Sequence, residues 1–131
     1  MVTIRPACEE QELVGELARC HFLYAMYPFS RSLRTFTRTS LPTKLSTYVQ
    51  AQRPILGHGP AQSSLATFLH DTRTGVMWSS ANVQDGVRSI NSLMQQSVDR
   101  QQWERAHELY YGKANVSAMV QVFEKLAAHP S

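Results

Sequence analysis

The chain has 131 residues, of which 43% are hydrophobic and 18% are charged, and its formal net charge is +3. This length and composition predict one folded domain over residues 1–131 and exclude a disordered chain. The pI near 9.1 is compatible with a phosphate-bearing partner but does not reach the charge of a histone-like nucleic-acid-packaging protein.

The cysteine pattern and the absence of long apolar runs indicate the compartment. Cys8 and Cys20 are the only cysteines, and they form no CxxC pair and have no histidine at metal-ligand spacing. We therefore expect two reduced thiols and no metal site. No apolar run approaches the roughly 20 residues of a membrane span, and the N-terminal stretch lacks signal-peptide features. These features predict a cytoplasmic protein, at most peripheral at the inner membrane face.

The first part of the chain alternates strand and helix patterns. Residues 2–4 form a short β-branched strand candidate, and residues 8–20 have the spacing of a helix that buries Leu13 and Leu17. Residues 21–27, "HFLYAMY", are apolar without alternation, which predicts a strand covered on both faces. Residues 29–39 have the composition of a polar, basic connection.

Further along, the pattern predicts a helix at about residues 41–52, a strand in "RPILGH", a helix opened by Pro60 and a strand in "GVMW". From Asn82 onward the periodicity is helical. The residues predicted to face inward on these last three helices are Val83, Val87, Ile90 and Met94, then Trp103, Ala106 and Tyr110, then Val116, Met119, Val120, Phe123 and Leu126.

Strands that alternate with helices at this rhythm are typical of βαβ units. The fold class predicted is α/β, a Rossmann-like three-layer arrangement with a parallel sheet of about four short strands and a helical C-terminal tail. Such sheets bind ligands beyond the carboxyl ends of their strands. Functional residues are therefore expected in the loops that follow the predicted strands.

The stretch "SLPTKL" follows the first of these loops. On a helix, Ser40, Lys44 and Thr47 fall on one face, Ser40 can cap the helix, and Pro42 suits its first turn. A lysine in a first turn opposes the helix dipole unless an anion lies beside it. The alternative is a capped surface helix with a solvated lysine.

Arginines precede this helix. Arg31, Arg34 and Arg38 alternate with Phe29 and Phe36, and guanidinium groups suit bidentate phosphate contacts. A nucleoside diphosphate or a lipid phosphate would fit, while RNA is a weaker possibility because no nucleic-acid module is recognisable; we expect no nucleic-acid partner. The alternative is a solvated basic loop.

In "GHGP", Gly57 and His58 are candidate loop contacts to a ligand, although a structural histidine is the simpler interpretation. This stretch is neither a GxGxxG pattern nor a P-loop, and the chain contains no GxSxG elbow. The sequence therefore assigns no catalytic residue.

Taken together, several segments resemble the C-terminal, donor-binding domain of GT-B glycosyltransferases of the group 1 (family four) type. The matching segments in chain order are "ELVGELARCHFLYAMYPFS", "SLPTKLSTY", "RPIL", "TGV", "DGVRSINSL" and "WERAHELYY". The resemblance implies that the helix after Pro42 points its N-terminus at the phosphates of a UDP-, GDP- or other nucleotide sugar, without a cofactor. The donor-binding residues that it implies are Thr39, Ser40, Leu41, Pro42, Thr43, Lys44 and Thr47.

The chain departs from this family in two ways. Thr39 and Thr47 stand where the family often has its two glutamates, and hydroxyls bind a ribose more weakly than carboxylates. The family's earlier βαβ part and its acceptor domain are also missing, so we expect transfer of a hexose, in surface polysaccharide or glycoconjugate synthesis, only with an acceptor domain or partner chain. A homo-oligomer through an open sheet edge is a further expectation. The alternative is a degenerate, non-catalytic interaction module.

Overall fold

A computed structural model describes residues 1–129. The chain forms three strands, seven α-helices and one 3₁₀ turn within these residues. In chain order they are α1 (Glu10–Leu17), β1 (Leu23–Met26), the 3₁₀ turn (Arg31–Leu33), α2 (Arg34–Thr39), α3 (Lys44–Ala51), β2 (Ile55–His58), α4 (Ser64–Thr72), β3 (Gly75–Trp78), α5 (Val83–Gln95), α6 (Arg100–Tyr111) and α7 (Lys113–Ala128).

The three strands form one parallel sheet in the order β1-β2-β3, with Leu23 opposite Ile55 and Ile55 opposite Gly75. The α/β class with a parallel sheet is therefore confirmed, with three strands instead of about four. Residues 2–4, predicted as a strand, lie in an exposed irregular segment. Their β-branched side chains favour a strand only where they pack on a neighbour, and these residues are exposed to solvent.

Helices lie on both faces of the sheet. On one face, α3, α4 and α6 enclose the main core, which contains Ala25, Tyr27, Leu45, Val49, Ile55, Leu65, Phe68, Leu69, Trp103 and Ala106. Met77 packs against this core, whereas the next residue, Trp78, points to the other face and meets Gly86 of α5. The arrangement is thus three-layered, as the sequence predicts.

The strand β1 lies at the edge of the sheet, and only one of its faces is covered. Leu23 and Ala25 are buried, but Tyr24 and Met26 are 41% and 50% exposed. The prediction that this strand is covered on both faces is therefore wrong. The reason is that α5 packs on β2 and β3 and does not extend over β1.

Residues 31–39 form the 3₁₀ turn and α2, although the composition of residues 29–39 predicts a polar connection. Serine and threonine usually disfavour helices because their hydroxyls compete for backbone groups. Here the hydroxyls bond within the helix: Thr37 donates to the Arg34 carbonyl at 3.0 Å, and Thr39 donates to the Thr35 carbonyl at 2.8 Å. Thr37 is also buried where α2 contacts α4.

Three predictions about which helix faces are buried are wrong. Helix α1 buries no residue, and Leu13 is exposed. In α5 the buried residues are Gly86 and Leu93, and of the predicted stripe only Ile90 is half-buried. The residues of the predicted α5 and α7 stripes that the structure leaves exposed are Val83, Val87 and Met94, then Val116, Met119, Val120, Phe123 and Leu126.

Helix α6 matches its prediction. Asp99 caps it through the backbone N–H of Gln102, and the Gln102 side chain accepts from the backbone N–H of Asp99, which completes a capping box. Trp103 and Ala106 are buried in the core, and Tyr110 is half-buried beside Phe68. This helix therefore closes the core over α3 and α4.

The close approach of α5 to the sheet depends on Gly86. A Cβ atom at this position would lie 2.8 Å from the Trp78 ring, whereas a Cβ at Gly15 in α1 would meet nothing within 4 Å. We predict that Gly86→Ala lowers the free energy of unfolding by about 1–3 kcal/mol, because overpacking outweighs helix propensity. Gly15→Ala should raise it by up to ~1 kcal/mol. Urea unfolding of both variants checks this, and equal effects would contradict it.

A second prediction concerns the Tyr111 hydroxyl, which is buried without a hydrogen-bond partner among the described residues. Burial, with a smaller effect of Tyr110, raises the pKa of Tyr111 from 10.0 to about 12. Between these pH values the unfolded chain loses a proton that the folded chain keeps, so the free energy of unfolding falls as the pH rises. We expect Tyr111→Phe to reduce this fall.

At pH 7 the same variant should gain up to ~1 kcal/mol, since it removes an unsatisfied polar group. Tyr110→Phe is the control, because the Tyr110 hydroxyl donates to Asp71 Oδ2 at 3.4 Å and its loss brings no such gain. Denaturant unfolding at pH 7 and above pH 10 measures both variants. Destabilisation of Tyr111→Phe at pH 7 would show that the hydroxyl has a partner.

Candidate functional site

A cleft lies where the carboxyl ends of all three strands meet. Its volume is about 300 Å³, and the loops that follow β1, β2 and β3 each contribute to it. The lining residues are Phe29, Ser30, Arg31, Arg34, Thr37, Arg38, Pro60, Ala61, Gln62 and Ser79. This is the edge at which parallel α/β sheets bind ligands.

The three predicted arginines all line this cleft. Arg34 and Arg38 lie four residues apart on α2 and therefore share one face, and Arg31 lies on the preceding turn. Their side chains are exposed, and none of them forms an ion pair within residues 1–129. The cleft thus holds three guanidinium groups with no neutralising carboxylate.

The sequence around the cleft is free of acidic residues over a long stretch. No aspartate or glutamate occurs between Glu16 and Asp71. The basic residues in this stretch are Arg19, Arg31, Arg34, Arg38, Lys44 and Arg53. The local charge is therefore far more positive than the mild net charge of the whole chain indicates.

The start of α3 lines a different cavity. This second cavity has a volume of about 420 Å³ and is mainly apolar, and its lining residues are Met26, Tyr27, Phe36, Ser40, Leu41, Pro42, Thr43 and Lys44. Helix α2 separates it from the arginine cleft, because Phe36 faces the second cavity while Arg34 and Arg38 face the first. The structure therefore places five of the seven predicted donor-binding residues in one cavity and the three predicted phosphate contacts in another.

Ser40 does not cap α3 as predicted. Its backbone is extended (φ −107°, ψ 129°), and α3 begins at Lys44, after Thr43, without a side-chain cap. Pro42 precedes the helix, and its carbonyl accepts from the backbone N–H of Leu45 at 3.1 Å to close the first turn. Tertiary hydrogen bonds override the local capping signal, because the Ser40 carbonyl accepts from the hydroxyls of Tyr27 and Ser64.

Four other predicted donor contacts differ in their surroundings. Leu41 packs against the core, as its apolar character indicates, and Lys44 is exposed. Thr39 bonds back within α2, and Thr47 lies on α3 outside the lining of both cavities. The two threonines that replace the family's glutamates therefore do not face a common cavity.

Gly57, predicted as a loop contact, lies inside β2 and is buried. A Cβ atom there would come within 2.6 Å of Leu69 Cδ1 and 2.7 Å of Met77 Sδ. The glycine therefore serves the close packing of α4 on the sheet. It has no access to a ligand in the cleft.

His58 is the last residue of β2 and belongs to an aromatic cluster on the other face of the sheet. Its ring stacks on Trp78, with ring centres 3.6 Å apart and an angle of 2°, and meets the edge of Phe29 at 5.4 Å. Its Nδ1 lies 2.8 Å from the Tyr24 hydroxyl, and its Nε2 lies 2.9 Å from the Ser80 carbonyl oxygen. Sequence reasoning missed this cluster, although Trp78 stands opposite His58 in the strand register.

The cluster has no geometry for nucleophilic catalysis. His58 contacts the carbonyl of Ser80, whereas the Ser80 hydroxyl donates to Asp85 Oδ2 at 2.7 Å. No histidine is therefore placed to take the hydroxyl proton. His58 instead links β1, β2 and the loop after β3, and Phe29 connects this cluster to the arginine cleft.

No protein-family model, no curated protein and no solved structure matches this chain. Within residues 1–129, no group of three or more histidine, cysteine, aspartate or glutamate side chains is placed to hold a metal ion. None of the helices in the described part has the length and apolarity needed to cross a bilayer. We therefore infer the function from the chemistry of the cleft itself, which can bind an anion with several oxygen atoms.

The hydrogen bonds of His58 predict its tautomer. The Ser80 carbonyl can only accept, so Nε2 must carry the proton and Nδ1 must accept from Tyr24. We expect long-range ¹H–¹⁵N spectra at neutral pH to show the Nε2–H tautomer. In Tyr24→Phe the Nδ1 resonance should shift while Nε2 stays protonated. A spectrum of the Nδ1–H tautomer would contradict this arrangement.

Proposed function

We propose that the chain binds the donor of a nucleotide-sugar-dependent glycosyltransferase, with the diphosphate of the donor in the arginine cleft. The observation that carries this proposal is the convergence of Arg31, Arg34 and Arg38 in one cleft at the carboxyl edge of a parallel sheet. Guanidinium groups bind phosphate oxygens through paired N–H donors. Three of them together suit a group with more than one phosphate.

The size of the cleft also supports a diphosphate. Ligand pockets are usually about 300–1,000 Å³, and the cleft lies at the lower end of this range. A diphosphate fits such a volume, while the rest of a nucleotide sugar extends beyond it. Phe29 at the cleft offers a ring on which a base can stack.

In this proposal the chain supplies the donor side of the reaction. The arginines stabilise the negative charge that develops on the departing nucleoside diphosphate during transfer of a hexose. The acceptor side comes from another domain or from a partner chain. A site that binds donor only does not transfer a sugar by itself.

The proposal predicts binding of nucleoside diphosphates. Isothermal calorimetry of the chain with UDP, GDP and a nucleotide sugar at low salt should show binding that weakens as salt is added. We expect Arg34→Gln to weaken the affinity by about 10–100-fold, because charged hydrogen bonds contribute about 1.5–3 kcal/mol. Arg105→Gln on α6 is the matched control, since it removes the same charge outside the cleft.

The Lys44→Ala variant tests which of the two cavities binds the phosphates. If it leaves binding nearly unchanged while Arg34→Gln weakens it, the arginine cleft holds the phosphates. If Lys44→Ala abolishes binding and Arg34→Gln does not, the start of α3 is the site. Failure of every nucleotide to bind at millimolar concentration would rule out the proposal.

A second function has support from the exposed face of β1. Tyr24 and Met26 leave apolar surface open on this face, and such surface is typical of a non-catalytic module that docks on a partner. The outer backbone edge is less open, because the Tyr24 carbonyl accepts from the Tyr48 hydroxyl at 2.9 Å. Co-purification of a partner that Met26→Lys releases, without nucleotide binding, would favour this function.

A further inference from the structure

Helix α7 is the least enclosed element of the chain. Within residues 1–129 its one substantial contact is with α6, to which Gly112 joins it, and none of its residues is buried. An isolated helix of 16 residues is only marginally stable in water. A partner surface beyond the contact with α6 would therefore stabilise α7.

The exposed surface of α7 carries an ordered apolar stripe. Val116, Met119, Val120, Phe123 and Leu126 follow a three-and-four spacing, so they lie on one side of the helix. They are between 45% and 65% exposed. The opposite side carries Gln121 and Lys125. This is the pattern of a helix that packs against another helix.

We infer that α7 pairs with α7 of a second copy of this chain and forms a homodimer. The five stripe residues expose roughly 500 Å² in each copy, so pairing two copies would bury at most roughly 1,000 Å², which is the size of a weak, reversible contact. A two-fold contact needs a patch that is complementary to itself, and a continuous apolar stripe meets this condition.

The charge of α7 favours a second copy over a lipid surface. Its charged residues are Lys113, Glu124 and Lys125, so two such helices repel each other little. A helix that lies on a lipid surface usually has a strongly basic polar face, which α7 lacks. The basic surface of this protein lies instead in the acid-free stretch between Glu16 and Asp71.

The test is sedimentation velocity of the whole chain, with a reducing agent, from about 1 to 100 µM, the range expected for an interface of this size. We expect a monomer–dimer equilibrium. Phe123→Lys should raise the dissociation constant by at least about 30-fold, because it buries a charge where an aromatic anchor stood. Gln121→Lys adds the same charge on the opposite side of α7 and should leave the dimer intact.

A second measurement checks that the Phe123→Lys variant remains folded. Phe123 is exposed and outside the core, so far-UV circular dichroism of the Phe123→Lys monomer should show that the domain remains folded. A wild-type chain that is monomeric at 100 µM would overturn the proposal. So would a dimer that Phe123→Lys leaves intact, since another surface would then form the contact.

Discussion

The placement of the arginine cleft depends on one backbone oxygen, the carbonyl of Ser40. The hydroxyls of Tyr27, at the end of β1, and Ser64, at the start of α4, both donate to it. The single hydroxyl proton of Ser64 is shared with the Thr37 carbonyl oxygen, which lies 3.2 Å from Ser64 Oγ. These bonds fix the C-terminal end of α2 against the sheet edge. Because Arg34 and Arg38 lie on α2, the same bonds orient their side chains over the cleft.

This arrangement has an electrostatic cost that an anion would offset. Arg34 begins α2, and a cation in the first turn opposes the helix dipole. Within residues 1–129, the cleft arginines also repel one another without a carboxylate to separate them. Water screens these charges in the free protein. A bound diphosphate would replace this screening with direct hydrogen bonds.

The sequence predicted the fold class more accurately than it predicted which face of each helix is buried. Local signals were sufficient for the inward-facing residues Trp103 and Ala106 of α6 and for the short strand "GVMW". They failed at Ser40, whose capping tendency is overridden by hydrogen bonds from residues distant in the chain. They also failed for α5, because a small residue at position 86 decides which side approaches Trp78. No hydrophobic pattern contains that information.

For the candidate site, the residue types predicted the phosphate-binding chemistry, but the sequence did not predict which residues share a cavity. The arginines were predicted as phosphate contacts from chemistry alone, and they do share a cleft. Their separation from Lys44 by α2 could not be predicted, because the sequence of that helix has the composition of a loop. The proposed anion site and the proposed dimer surface also lie apart, because no residue that lines the cleft belongs to α6 or α7. We therefore expect the proposed pairing through α7 to leave the lining of the cleft open, so that dimer formation and anion binding can be tested independently of each other.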